Sequence, residues 1–540
     1  MPKRSPSLAW FLAPALAVAG LGAFPSGPLP SPASAAATAG AGIVTFHYDE
    51  ARTGWDPAER VLTSQALRSR PLRRLWSEPV DGDIYASPVI VSGVAVRGQP
   101  KALVYVVTER DTVYAFDAAS GGRVWGPVSV GTSVPRSSLP CGNIDPVGIT
   151  GTPVADPSSG LLFAAALTSS DGGRTRSYRV AALDLATGAE HAGWPVTLDP
   201  PASNGLKFDV GPQQERGALT FLHGVVYVPF GGYWGDCGDY HGWIVAVPVA
   251  SPAKQEAYAT PTTRRGGIWA HGGMAADGEG RLYAGTGNSD SGGRVDFGEA
   301  VLRLETSPSL RFSAASRDYF VPSNFVSLND TDSDLGSGTP IVLPDQPGTS
   351  TPHLVFAAGK QGVAYLINRD DMGGVSKGNG VAGEGVYSRC VFGACGRGGF
   401  SVFSAPAYWD GGAAGRFVYV PGPGRGAQPE PCRGSGGIVA LRLGVSAQSH
   451  TSTLDVAWCS PAMRDAGAPA VTGSGSNGVV WVIDTAEGTL HAFDARSGAS
   501  LVGVQNGEAI GAAHRFITPA VFDGRVYVGA AREVVAYGLK

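Results

Sequence analysis

Carboxylates, amides and one lysine recur at turn-like positions of this chain, and such groups hold cations and move protons. Residues Asn329 to Asp334 read Asn-Asp-Thr-Asp-Ser-Asp. Asp330, Asp332 and Asp334 alternate like the first ligands of a calcium loop, but Leu335 stands at the sixth position, where glycine makes the turn. The same run also reads as a solvated turn whose side chains bond its own backbone. Asp236 and Asp239 flank Cys237-Gly238, Asn288 follows Gly287, and Lys360 follows Gly359. By residue type alone, each fits a turn as well as a site. The nine His are scattered, with no H-E-x-x-H. Gly473-Ser-Gly-Ser-Asn-Gly478 matches G-x-G-x-x-G but leads into the strand-like Val479-Val-Trp-Val, which excludes dinucleotide binding. No P-loop and no nucleophile elbow is present.

The elements that must position these groups are strands. Of 540 residues only 16% are charged, and 78 are Gly and 40 Pro. Eleven Trp, 20 Phe and 17 Tyr rule out a disordered chain. Many turns, few charges and abundant aromatics suit all-β structure. The net charge of −4, with no Lys/Arg run, excludes the electrostatic footprint of a nucleic-acid binder.

Self-similarity sets the architecture. Leu103-Val-Tyr-Val-Val-Thr, Thr112-Val-Tyr-Ala-Phe-Asp117, Ser120-Gly121 and Trp125 form one unit. Similar units run from Leu161 to Trp194 and from Val479 to Gly498, and weaker strand pairs start near Val225, Arg281, Leu354, Phe417 and Arg525. Several follow a small-residue strand containing Pro, as in Gly151-Thr-Pro-Val, Ser404-Ala-Pro-Ala and Ile517-Thr-Pro-Ala; such strands suit a crowded axis. Eight units roughly 45–75 residues apart predict an eight-bladed β-propeller of four-stranded antiparallel blades. A linear β-solenoid would need shorter, more regular rungs. The last unit lacks a strand, which Leu72 to Pro79 could supply. Residues 372–400 are expected to form a Gly-rich surface loop beside the axis.

The N-terminus has Lys3 and Arg4, an apolar run from Leu8 to Phe24 broken by Pro14, and an Ala33-Ser34-Ala35 cleavage site. These features predict a secretory signal peptide at 1–35, a lead-in at 36–71, and a propeller at 72–540. Removing the signal takes the net charge from −4 to −6 and leaves a secreted or extracytoplasmic protein with no membrane span. Six Cys suit that compartment, although they permit fifteen pairings. Cys390 with Cys395 and Cys432 with Cys459 are the expected local pairs, leaving Cys141 with Cys237.

The Asp-x-x-Ser/Thr-Gly-x-x-x-Trp repeats resemble those of pyrroloquinoline-quinone (PQQ)-type propellers. That class holds quinoprotein alcohol dehydrogenases and non-catalytic relatives. The resemblance spans roughly residues 45–540. Tyr283-Ala-Gly-Thr-Gly-Asn288 resembles the segment whose Asn binds calcium. Asn329 to Gly336 resembles the segment of the catalytic Asp, with Asp334 the match by its following Leu-Gly. Gly359-Lys360-Gln-Gly-Val-Ala-Tyr resembles the segment whose basic residue touches the quinone carbonyls. Asp236 or Asp239 lies where the family places a calcium-binding Glu. The resemblance therefore implies calcium on Asn288, Asp334 and Asp236 or Asp239, the quinone beside Lys360, and Trp269 as the nearest counterpart of the stacking tryptophan. Asp334 would take the proton of an alcohol or sugar hydroxyl as hydride leaves. Two features depart from the dehydrogenases: Cys141 is followed by Gly142 and not by a second Cys, and no haem-attaching C-x-x-C-H exists, so an electron acceptor would be separate. The alternative is a non-catalytic propeller binding a protein or polymer on its face.

Overall fold

The computed structural model describes residues 42–392, 395, 401–422, 432, 435–501 and 510–540. The predicted signal peptide lies outside them. Eight sheets follow one another along the chain. Most are four-stranded and antiparallel, the arrangement of an eight-bladed propeller. Blade 1 is built on Val89–Val96, Gln99–Val107, Thr112–Asp117 and Arg123–Ser129. Blade 8 is built on Ala520–Phe522, Arg525–Gly529 and Glu533–Leu539. Leu72–Pro79 supplies its outer strand, pairing antiparallel from Leu72 opposite Leu539 to Pro79 opposite Glu533. The ring is thus closed by joining the two ends of the chain. No helix among the described residues is long and apolar enough to cross a membrane.

The repeat motif makes the contact between neighbouring blades. The Asp117 carboxylate accepts from the Ala119 and Ser120 amides at 3.0 Å, and Asp184 does the same for Ala186 and Thr187. Each turn ends on a glycine, Gly121 or Gly188, whose missing side chain receives the Trp of the preceding blade. A Cβ on Gly121 would come 2.7 Å from the Trp76 ring, and one on Gly188 equally close to Trp125. The Trp125 indole N–H then donates to the Leu185 carbonyl at 2.9 Å. Trp458 repeats this on Gly498 and the Ala495 carbonyl.

Residues 42–56, part of the expected lead-in, wind around the axis. Gly42–Ile43 pairs with blade 1. The carbonyls of Val44, Glu50, Ala51, Thr53 and Gly54 accept from the inner strands of blades 2, 4, 5, 6 and 7. Arg52 donates to the Leu219 carbonyl of blade 3, and the Tyr48 hydroxyl to that of Val521 in blade 8. This strap therefore touches every blade. Its Phe46 ring stacks on His47 and meets His271 edge-on, and His271 stacks toward Phe516, so an aromatic column fills the axis.

Burial holds both imidazoles neutral, pushing each down to about 3. The unfolded chain binds their protons near pH 6.5, so stability is full above that value and falls as pH drops toward 3. The expected slope is about 1.4 kcal/mol per pH unit for each histidine. Urea titrations between pH 7 and 4 check it: His271→Asn should flatten the decline relative to the parent, and an unchanged slope refutes the assignment.

Within the expected surface loop at 372–400, residues 393, 394 and 396–400 lie outside the described residues, and the described part differs from a loop. Gly374–Val375 pairs with Tyr319–Val321 of blade 4, and Tyr387–Cys390 forms the outer strand of blade 5. Glycine-rich sequence hid these strands, because their pairing comes from neighbours and not from a local apolar pattern. All three expected disulfides are present: Cys141–Cys237, Cys390–Cys395 and Cys432–Cys459.

Candidate functional site

In an antiparallel blade the turn between the second and third strands lies at the same end as the link to the next blade. Residues on those turns and links therefore gather on one face around the axis. A cavity of about 440 Å³ opens there. Its wall includes Trp269 from the link before blade 4, Asn288 from the inner turn of that blade, Asp332 and Asp334 from the next link, and Lys360 from the inner turn of blade 5. Asp236 also lines it.

Glycines let these backbones meet. A Cβ on Gly336 would fall 2.3 Å from the Thr286 carbonyl carbon, and one on Gly359 the same distance from the Asp334 carbonyl oxygen. The Leu-Gly after Asp334 and the Gly before Lys360 are thus needed for blades 4 and 5 to close on each other. The Asn288 amide donates to Asp334 Oδ1 at 2.9 Å. Lys360 Nζ lies 2.6 Å from Asp334 Oδ2 and 2.8 Å from Asp332 Oδ1. Burial opposes the Lys360 charge, yet Asp334 and Asp332 outweigh it and raise the ammonium pKa. The ammonium also sits 5.4 Å from the Trp269 ring centre and 5.8 Å from that of Phe403, within cation–π range.

Asp236 lines the cavity too, and its Oδ1 accepts from the Tyr240 hydroxyl at 2.7 Å. Asp239 does not line the cavity: its side chain is 79% exposed, beside His241. The fixed loop geometry around Cys237 therefore sends only one of the two candidate acids inward.

Reading the residues alone missed several members of the site. Glu299 is fully buried behind Asp334; its Oε2 accepts from the Leu335 amide at 2.6 Å. Burial, and then the charge of Asp334, push its pKa far up. Arg216, Phe403, Arg515 and Phe516 also line the cavity. A usable signal existed for the last three, which immediately precede the small-residue, proline-containing inner strands. The links end there, so those positions face the axis.

No family model matches the chain, and no curated protein matches it by sequence. Solved structures do. Quinohemoprotein alcohol dehydrogenase from Comamonas testosteroni is similar over 93% of this chain and 81% of its own, with a TM-score of 0.61 and 17% identity. The alcohol dehydrogenase ADHIIG from Pseudomonas putida HK5 aligns over 92% and 80%, with a TM-score of 0.61 and 16% identity. A europium-containing methanol dehydrogenase aligns over 93% and 99%, with a TM-score of 0.60 and 13% identity. The chain shares their eight-bladed propeller fold. At these identities the likeness concerns the fold alone, and the chemistry rests on the chain's own cavity.

The cavity suits a planar anionic ring. Trp269 and Phe403 offer aromatic faces, and Lys360, Arg216 and Arg515 offer positive charge. Among the described residues no group of three or more His, Cys, Asp or Glu is placed to hold a metal. Asp334 is instead engaged by Lys360 on one oxygen and by the Asn288 amide on the other.

Proposed function

We propose that the protein is an extracytoplasmic quinone-dependent dehydrogenase that oxidises an alcohol or sugar hydroxyl and passes electrons to a separate acceptor. The observation that carries this reading is the meeting of Trp269, Asn288, Asp334 and Lys360, from separate loops of blades 4 and 5, in one cavity. Three disulfides support an extracytoplasmic setting. A bound quinone supplies a two-electron acceptor for the hydrogen leaving the hydroxyl-bearing carbon. Trp269 and Phe403 would hold its ring, and Arg216, Lys360 and Arg515 its anionic groups. Asp334 accepts the hydroxyl proton at its carboxylate. Lys360, held by Asp334 and Asp332 in this structure, would place positive charge beside the quinone's oxygens and so favour the negative charge that develops there. Tyr240, Trp234 and Phe516 add aromatic surface to the cavity wall.

The test is direct. Purified protein incubated with pyrroloquinoline quinone and desalted is expected to retain quinone absorbance, and Lys360→Ala to lose most of it. With an artificial electron-accepting dye, the loaded protein should oxidise alcohols or sugars. Failure to retain quinone with or without calcium would overturn this reading. One observation favours the binding-scaffold alternative: Cys141 bridges to the distant Cys237, beside the cavity-lining Asn143 and Asp236, and not to an adjacent cysteine as the dehydrogenase resemblance calls for.

A further inference from the structure

The quinone reading employs Trp269, Phe403, Asp334 and the basic groups, and leaves part of the cavity wall without a role. That part comes from two segments. The link from blade 1 to blade 2 carries Asn143, and the inner turn of blade 3 carries Trp234 and Asp236. The Cys141–Cys237 bridge ties the two segments together, next to these residues.

The blade 3 turn holds Trp234 away from the protein. The Asp236 amide donates to the Tyr233 carbonyl at 3.0 Å, with Gly235 at φ +105° and Asp236 at φ +54°. Tyr233 is buried, and a Cβ on Gly142 would lie 3.6 Å from its ring. One on Gly235 would lie 3.3 Å from Cys141 Sγ. Tyr233 and the disulfide therefore fix both ends of the turn. The indole between them is 66% exposed, the one exposed tryptophan among the described residues. It has no hydrogen bond and no ring partner among them. Trp125 and Trp458, by contrast, are buried between blades and donate their N–H to carbonyls. Isolated exposed apolar residues are ordinary on a surface. This one lines a cavity, on a fixed turn, beside polar groups with bonding capacity to spare.

Asn143 is exposed, and its side chain makes no hydrogen bond among the described residues. Asp236 accepts from the Tyr240 hydroxyl through Oδ1, while its Oδ2 meets Arg265 only at 3.6 Å. An amide offers two donors and an acceptor, and an ionised carboxylate has room for further donors. A flat apolar face flanked by such groups matches a sugar ring. The C–H bonds on the face of a pyranose bury against an indole, and the hydroxyls around its rim donate to a carboxylate and exchange bonds with an amide. A small alkanol would leave Asn143 and Asp236 unused. The charge of Asp236 disfavours an anion at this wall.

We propose that Trp234, with Asn143 and Asp236, binds the ring of a neutral pyranose sugar. That the sugar is the substrate rests on the quinone reading; that it binds here does not.

Full protein, with and without loaded quinone, titrated in a calorimeter with D-glucose, D-galactose and cellobiose tests the proposal. At least one sugar is expected to bind saturably, and Trp234→Ala to weaken it by at least about tenfold, the scale of losing an aromatic anchor. Trp234→Phe should recover most of the affinity. Asn143→Ala should weaken the same sugar, and it serves as the second variant should Trp234→Ala fold poorly. Quinone absorbance should stay at the parent level in each variant, because neither residue holds the quinone. The proposal is overturned if none of the three sugars binds, or if Trp234→Ala and Asn143→Ala both bind as tightly as the parent. Benzyl alcohol is the competing probe. Its binding through Trp234, with no sugar bound, would assign the indole to aromatic alcohols and refute the sugar. If the parent binds sugar but retains no quinone, the dehydrogenase reading falls and this site stands; quinone retention without sugar binding does the reverse.

Discussion

Asp334→Asn is expected to lower quinone-dependent hydroxyl oxidation by about 10²–10⁴-fold, the range for removing a positioned general base. The amide keeps the size of the carboxylate and can still face Lys360, but it cannot take a proton. The fold should survive, because Asp334 sits on a link and the packing around it comes from Leu335, Gly336 and the inner strands. Quinone retention should change far less than turnover, since Trp269, Phe403, Arg216 and Arg515 remain. Lys360→Ala should behave the other way, losing quinone first. Comparing quinone absorbance with dye-coupled rates separates the two roles. If Asp334→Asn loses quinone and rate in equal proportion, Asp334 is a binding group and the base lies elsewhere. If no quinone-dependent rate exists in the parent, the scaffold reading gains.

Arg52→Met is expected to give the largest loss of stability of any single substitution outside the disulfides, about 3–5 kcal/mol. Arg52 is fully buried and donates to the carbonyls of Met274, Phe46 and Leu219 and to the hydroxyls of Thr45 and Thr220. It also pairs with Glu50 at 3.3 Å. Burial works against both charges, lowering the Arg52 pKa and raising that of Glu50. Methionine fills much of the space but leaves Glu50 without its cationic partner and several carbonyls without a donor. The strap would then lose its grip on blades 3 and 4 together. Arg68→Met is the control: its pair with Asp494 is at the surface and should cost less than about 1 kcal/mol. Denaturant unfolding of the two variants decides the matter. Similar losses for both would show that the strap is held by its backbone bonds alone.

The architecture was legible because propeller blades repeat a local code. The Asp-x-x-Ser/Thr-Gly turn and its Trp are chosen by short-range chemistry: a carboxylate bonds two amides, and a glycine makes room for an indole. Reading three such units and a C-terminal unit one strand short was enough to predict closure by Leu72–Pro79, because an unpaired edge strand demands a partner. The local cysteine pairs could be read for a similar reason, being near in sequence.

The site was only partly legible. Asp334, Lys360 and Asn288 sit beside glycines that backbone approach requires, so their motifs carry a local trace of a tertiary demand. Glu299 and Arg216 also adjoin glycines, Gly298 and Gly217, but nothing in the local sequence pointed to either. Only the folding of separate blades around one axis brings Arg216 to the cavity and Glu299 behind Asp334. Asp236 and Asp239 are equal candidates by type and spacing. Their different orientations are decided by Tyr240, Arg265 and the Cys141–Cys237 bridge. The strap is the clearest case. Residues 42–56 show no strand period, because their bonds are spent one at a time on eight successive blades. Local sequence determined the repeating blades and their turns. The meeting of charges at the axis, and the burial that sets their protonation, belong to the closed ring, since groups far apart in sequence interact strongly only when folding removes the water between them.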